Sequence, residues 1–132
     1  MKQYRWLDRR IARPGPFLTL CLNEDEFNHV LVKLKVHERP AWVNFGADAT
    51  THHLNNQTGD AACVICIRDS NRHNSIEVAG MLVHEAVHVW QEYCDMLGEK
   101  QPGREQEAYA VQAIAQELMA EFKRRMEQKE KE

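Results

Sequence analysis

Apolar residues recur with a helical period in three stretches of this chain, which predicts three helices. The predicted helices cover about 23–36, 74–98 and 104–125. The first two open on an asparagine with a glutamate three residues later, the spacing of a capping box (Asn23 with Glu26, Asn74 with Glu77). Gly98 is a typical helix stop, so the second helix is expected to end there.

The second predicted helix carries an apolar stripe that is expected to face the core. Its members are Ile76, Ala79, Val83, Val87, Trp90 and Cys94. Gly80 lies beside this stripe, and its missing side chain is expected to let another segment come close.

Two short apolar runs, Ala41–Phe45 and Ala61–Arg68, predict strands, whereas the segment Gly46–Asp60 between them is polar and rich in turn-forming residues. The expected fold class is therefore α+β, with a small antiparallel sheet of two or three strands packed on the second helix and a long C-terminal helix closing it. A single domain is expected over 1–132, with a basic N-terminal arm at 1–16 and a frayed, charged tail at 127–132.

The net charge of −3 implies no general attraction to nucleic acid or to acidic membranes. No apolar run approaches the length of a membrane span, and the start of the chain lacks the apolar core of a signal peptide. These features favour a cytoplasmic protein.

Four cysteines include a C-x-x-C pair, Cys63 and Cys66, a spacing that can bind zinc or carry redox chemistry. Because the pair lies in a predicted strand, the two thiols are expected to point to opposite faces. Buried free thiols are the favoured interpretation for all four.

The stretch His84-Glu85-Ala86-Val87-His88 carries the most specific chemistry in the chain. Residues i and i+4 share one face of a helix, so both imidazoles can reach one metal ion. Two imidazoles and a carboxylate suit Zn²⁺ and leave a position for water, whose proton Glu85 could accept. The sequence thus predicts a site for one zinc ion, with His84 and His88 as ligands and Glu85 as general base.

The third protein ligand is expected from the start of the last helix, which offers Glu105 and Glu107. Glu107 lies closer to the predicted buried stripe of that helix, whereas Glu105 lies nearer a face of small side chains that could pack on the second helix.

Taken together, H-E-x-x-H at 84–88 and the segment 105–112 resemble the gluzincin type of zinc metallopeptidase, especially small single-domain forms found in phage and prophage genomes. The resemblance implies a minimal zincin-like fold, a protein or peptide substrate, Glu105 as the third ligand and position 109 as support for the metal-bound histidines. Tyr109 stands where an aspartate is usual. An edge strand that holds the substrate by main-chain hydrogen bonds is also implied, with Ala61–Ile67 as the candidate.

Two other functions stay open. One is a zincin-like domain that binds metal or protein without peptidase activity. The other is a domain without metal whose last helix engages a partner through Lys123, Arg124 and Arg125. The donor to a developing oxyanion is also undecided among His52, His53, His73, Tyr93 and Tyr109.

Overall fold

A computed structural model describes residues 3–9, 15–55, 60–68 and 73–131, and these residues form a mixed α+β fold of the predicted class. The helices and strands are, in chain order, β1 (Trp6–Leu7), β2 (Phe17–Cys21), α1 (Glu24–Lys33), β3 (Ala49–Asn55), β4 (Ala61–Ile67), α2 (Ser75–Leu97) and α3 (Arg104–Glu130).

The four strands form one sheet in the order β1-β2-β4-β3. β1 pairs with β2, and β3 with β4, in antiparallel fashion, whereas β2 and β4 are parallel. The sheet is therefore mixed and larger than the small antiparallel sheet expected from the sequence. A parallel pair needs a long connection between its strands, and here that connection contains α1 and β3.

Apolar side chains pack on both faces of the sheet. One core lies between the sheet and the pair α2 and α3, and the other lies between the sheet and α1. Cys63 belongs to the first core and Cys66 to the second, which confirms that these neighbouring thiols point to opposite faces. All four cysteines are buried and free, as predicted.

Strand β4 is central, paired with β2 on one side and β3 on the other. The expectation that Ala61–Ile67 is an edge strand beside the second helix was therefore wrong. Its burial explains this, because a strand covered on both faces reads as a continuous apolar run. The edge strand beside α2 is β3, in the segment 46–60 that was expected to be turn-rich.

Strand β2 was not anticipated from the sequence, and the predicted strand Ala41–Phe45 does not form. Residues 41–45 instead lie in turns before β3, where Val43 contributes to the core under α1.

The buried face of α2 matches the predicted stripe only at Trp90 and Cys94. Ile76 is 81% exposed and Val83 is 39% exposed. The side chains that α2 buries are Leu82, Glu85, Ala86, Val89, Trp90, Tyr93 and Cys94. Both stripes are apolar, and the position of the sheet and α3 decides which of them is covered. No described atom lies within 4 Å of a Cβ added at Gly80, so the close approach expected there is absent.

Helix α3 continues to Glu130, so the described part of the tail expected to fray is helical. Its basic triplet is also partly internal. Arg125 is 4% exposed and donates to the carboxylate of Glu26, while Arg124 pairs with Glu121. The exposed basic patch assumed for a partner-binding last helix is thus not formed by these arginines.

The N-terminal segment expected to be a basic arm packs on the body where it is described. Trp6 and Leu7 pair with β2, and Arg5 donates to Glu121 of α3 at 3.0 Å. Residues 1, 2 and 10–14 of that segment lie outside the described residues.

Candidate metal centre

Helix α2 provides a rigid frame for the H-E-x-x-H residues. Its first turn is closed by the predicted capping box, in which Asn74 Oδ1 accepts from the Glu77 amide at 2.8 Å and Glu77 Oε1 accepts from the Asn74 amide at 2.9 Å. Gly98 ends the helix in a left-handed conformation at φ 72°, where glycine carries no steric penalty. The histidines lie in the middle of this helix, away from ends that fray.

The imidazoles of His84 and His88 meet on one face of α2, with their Nε2 atoms 3.3 Å apart. Two nitrogen ligands about 2.0–2.1 Å from a tetrahedral zinc ion are separated by about 3.3 Å. The side chain of His84 is 70% exposed, so the pair opens to solvent. The separation of the two Nε2 atoms is therefore compatible with adjacent ligands of one zinc ion.

Gln91 supports this orientation of His88. Its Oε1 atom lies 3.1 Å from His88 Nδ1, where a protonated Nδ1 donates to the amide oxygen. That tautomer leaves the lone pair of Nε2 for a metal. Gln91 is one turn beyond His88 on the same helix, a spacing visible in the sequence.

Glu85 points away from solvent, toward the sheet, and is 4% exposed. Thr51 of β3 donates its hydroxyl to Glu85 Oε1 at 2.8 Å. The other oxygen, Oε2, lies 4.0 Å from His84 Nε2. One carboxylate oxygen is thus held by the edge strand, and the other lies near His84.

The structure does not add a third ligand to this pair. Across the described ranges, no three histidine, cysteine, aspartate or glutamate side chains are grouped so that they could hold a metal ion. Glu105 is exposed in the first turn of α3. Glu107 accepts a hydrogen bond from Trp90 Nε1 at 3.0 Å and lines a cleft that Gln91 also lines. Tyr109 is 62% exposed on the same helix.

Two histidines of β3 lie on its opposite faces. His53 points toward α2, with its Nδ1 3.5 Å from Glu92 Oε2 and 3.4 Å from Cys63 Sγ. His52 stacks on Phe27 of α1 and contacts the Trp42 carbonyl oxygen at 2.9 Å. Among the candidate oxyanion donors, His53 therefore shares the α2 face of β3 with Thr51, whereas His52 lies on the far side of the sheet.

Burial raises the pKa of the Cys63 thiol to about 12, with a further contribution from the nearby Glu92 carboxylate. Burial also raises the pKa of Cys66, which lies next to Cys21 across the β2–β4 pair. A thiolate is the reactive form of cysteine. Neither residue of the C-x-x-C pair is therefore suited to nucleophilic or redox chemistry at neutral pH.

No protein-family model, curated protein or solved structure matches this chain. Within the described ranges, none of the helices has the length and apolar character needed to cross a bilayer. The function must therefore be inferred from the geometry of the site itself.

Proposed function

We propose that the chain is a zinc-dependent peptidase in which His84 and His88 bind the metal and Glu85 acts as general base. The separation of 3.3 Å between the two Nε2 atoms is the observation that carries this proposal, because it fits adjacent ligands of one zinc ion. Glu105 is the third protein ligand in this site, and the peptidase acts in the cytoplasm.

Glu85 is placed for proton transfer. Its Oε2 atom lies 4.0 Å from Nε2 of His84, so a water held between this oxygen and the imidazoles can give up a proton to it. The same oxygen can then return the proton to the leaving amine. A zinc ion bound there would polarise the scissile carbonyl and lower the pKa of its water.

The substrate proposed for this site is an extended peptide on the edge strand β3. β3 ends the sheet and packs along α2, with Thr51 touching Glu85 and His53 near Glu92. A peptide that paired with the outer edge of β3 through main-chain hydrogen bonds would pass beside the histidine pair. Neither nucleic acid nor a membrane takes part in the proposed reaction.

An inactive zincin-like domain is the second candidate. It is favoured by the lack of a three-donor group among the described residues. Catalytic zinc sites of this class use three protein ligands, and a two-histidine site binds metal more weakly. Such a domain would bind zinc or a protein partner without hydrolysing peptides.

Digestion of a broad peptide library by the zinc-loaded protein, followed by mass spectrometry, distinguishes the two functions. A peptidase is expected to cleave peptides, and a chelator is expected to stop the cleavage. The Glu85→Gln variant is expected to lose activity while it keeps its fold and its zinc ion. Glu24→Gln removes an exposed carboxylate of α1, on the far face of the sheet, and is the matched control that should keep activity. If neither the wild type nor the control hydrolyses a peptide, the inactive domain is favoured.

A further inference from the structure

Thr51 makes a polar contact between the edge strand and the centre of α2. It lies on β3 opposite Ile65 of the central strand, so its backbone position is fixed by the sheet. Its hydroxyl donates to Glu85 Oε1 at 2.8 Å. His53, two residues along the strand, points to the same side and lies near Glu92.

The environment of Glu85 requires such a donor. A carboxylate that is 4% exposed has little access to water, and its oxygens need partners in the protein. Thr51 holds Oε1, and Oε2 lies 4.0 Å from Nε2 of His84. Oε1 therefore binds Thr51, and Oε2 is the oxygen left for proton transfer.

We propose that Thr51 is a positioning residue that holds Glu85 in the orientation needed for proton transfer. This inference rests on the proposed function, since it assigns Glu85 the role of general base. The Thr51 side chain acts on the reaction through Glu85.

The chemistry of threonine suggests a specific set of variants. Its hydroxyl supplies one donor, and its branched Cβ restricts the rotation of the side chain in a strand. Thr51→Val keeps the shape and removes the donor, whereas Thr51→Ser keeps the donor and loses the methyl group. Thr19→Val is the matched control, because the Thr19 hydroxyl on β2 donates to the Arg5 carbonyl oxygen at 2.7 Å, away from Glu85.

Steady-state kinetics on a peptide cleaved by the wild type provides the first test. Thr51→Val is expected to lower kcat by about 10-fold to 100-fold, the usual cost of losing a supporting hydrogen bond, with KM little changed. Thr51→Ser should restore most of kcat, and Thr19→Val should leave kcat unchanged. A Thr51→Val enzyme as fast as the wild type, or a Thr51→Ser enzyme as slow as Thr51→Val, would overturn the inference.

Crystal structures of the wild type and Thr51→Val provide a second test that needs no activity. The Glu85 carboxylate is expected to turn away from the histidine pair in Thr51→Val and to keep its place in Thr51→Ser. An unchanged Glu85 in Thr51→Val would overturn the positioning role. If the wild type hydrolyses nothing, the peptidase proposal fails, while these structures still decide whether Thr51 fixes Glu85.

Discussion

The indole nitrogen of Trp90 donates a hydrogen bond to Glu107 Oε2 at 3.0 Å, joining α2 to the first turn of α3. Trp90 is buried, and Glu107 lies at the edge of a cleft shared with Gln91, which in turn contacts His88. Glu107 therefore has a structural partner on α2, only two residues beyond His88.

This contact separates the two candidates for the third ligand. Glu105→Ala is expected to weaken zinc binding at least about tenfold, in line with the loss of a ligand or its support, and to leave folding stability nearly unchanged. Glu107→Ala is expected to lower the free energy of unfolding by about 1–3 kcal/mol, because the buried indole N–H loses its charged acceptor. Competition with a chromophoric chelator measures zinc affinity, and urea denaturation measures stability. If Glu107→Ala weakened zinc binding and Glu105→Ala did not, Glu107 would be the ligand.

His52 is expected to stay neutral at pH values where an ordinary histidine is charged. Burial against Phe27 lowers its pKa from the usual 6.5, although the contact with the Trp42 carbonyl oxygen partly opposes this shift. A lowered pKa means that the contribution of His52 to stability is present above pH 6.5 and is lost as the pH falls through the lowered value. NMR titration of the His52 ring should give a midpoint below 6.5. His52→Gln should reduce the loss of stability in acid, and a midpoint at or above 6.5 would contradict this prediction.

The buried pair Glu26 and Arg125 is expected to be costly to break. Arg125→Met leaves the Glu26 carboxylate buried without its cation, so we expect a loss of about 3–5 kcal/mol in the free energy of unfolding. The double variant Glu26→Leu with Arg125→Met removes both charges and should recover much of that loss. Urea denaturation of the wild type, Glu26→Leu, Arg125→Met and the double variant completes a double-mutant cycle. If Arg125→Met is as stable as the wild type, the Glu26–Arg125 pair does not make this contribution to the free energy of unfolding.

Both ends of α2 were predictable from local chemistry. The capping box at Asn74 and Glu77 and the stop at Gly98 act within a few residues, so the bounds of α2 agree with the sequence prediction. The H-E-x-x-H spacing also places His84 and His88 together by helix geometry alone.

The sheet was less predictable, because its pairing depends on residues distant in sequence. β3 is polar on both sides, with Thr51 and His53 facing α2 and His52 facing α1, so it resembles a turn-rich segment. Its strand character comes from pairing with β4. The position of Thr51 beside Glu85 follows from that pairing and could not be read from local patterns.

Periodicity identified only part of the buried face of α2, at Trp90 and Cys94. Apolar residues occupy most of the helix surface, so Ile76 and Val83 appeared equivalent to Leu82 and Val89. The sheet and α3 cover the second pair and leave the first exposed. This choice of face is what buries Glu85 against β3.

Zinc content is the most direct measure of the central claim that His84 and His88 form a metal site. The protein should be loaded with zinc, dialysed and analysed by atomic absorption, alongside His84→Ala, His88→Ala and the control His37→Ala, which changes an exposed histidine before β3. We predict one zinc ion per chain in the wild type and in His37→Ala, and loss of that ion in the other two variants. A wild type that holds no zinc, or His84→Ala and His88→Ala variants that keep it in full, would contradict the claim.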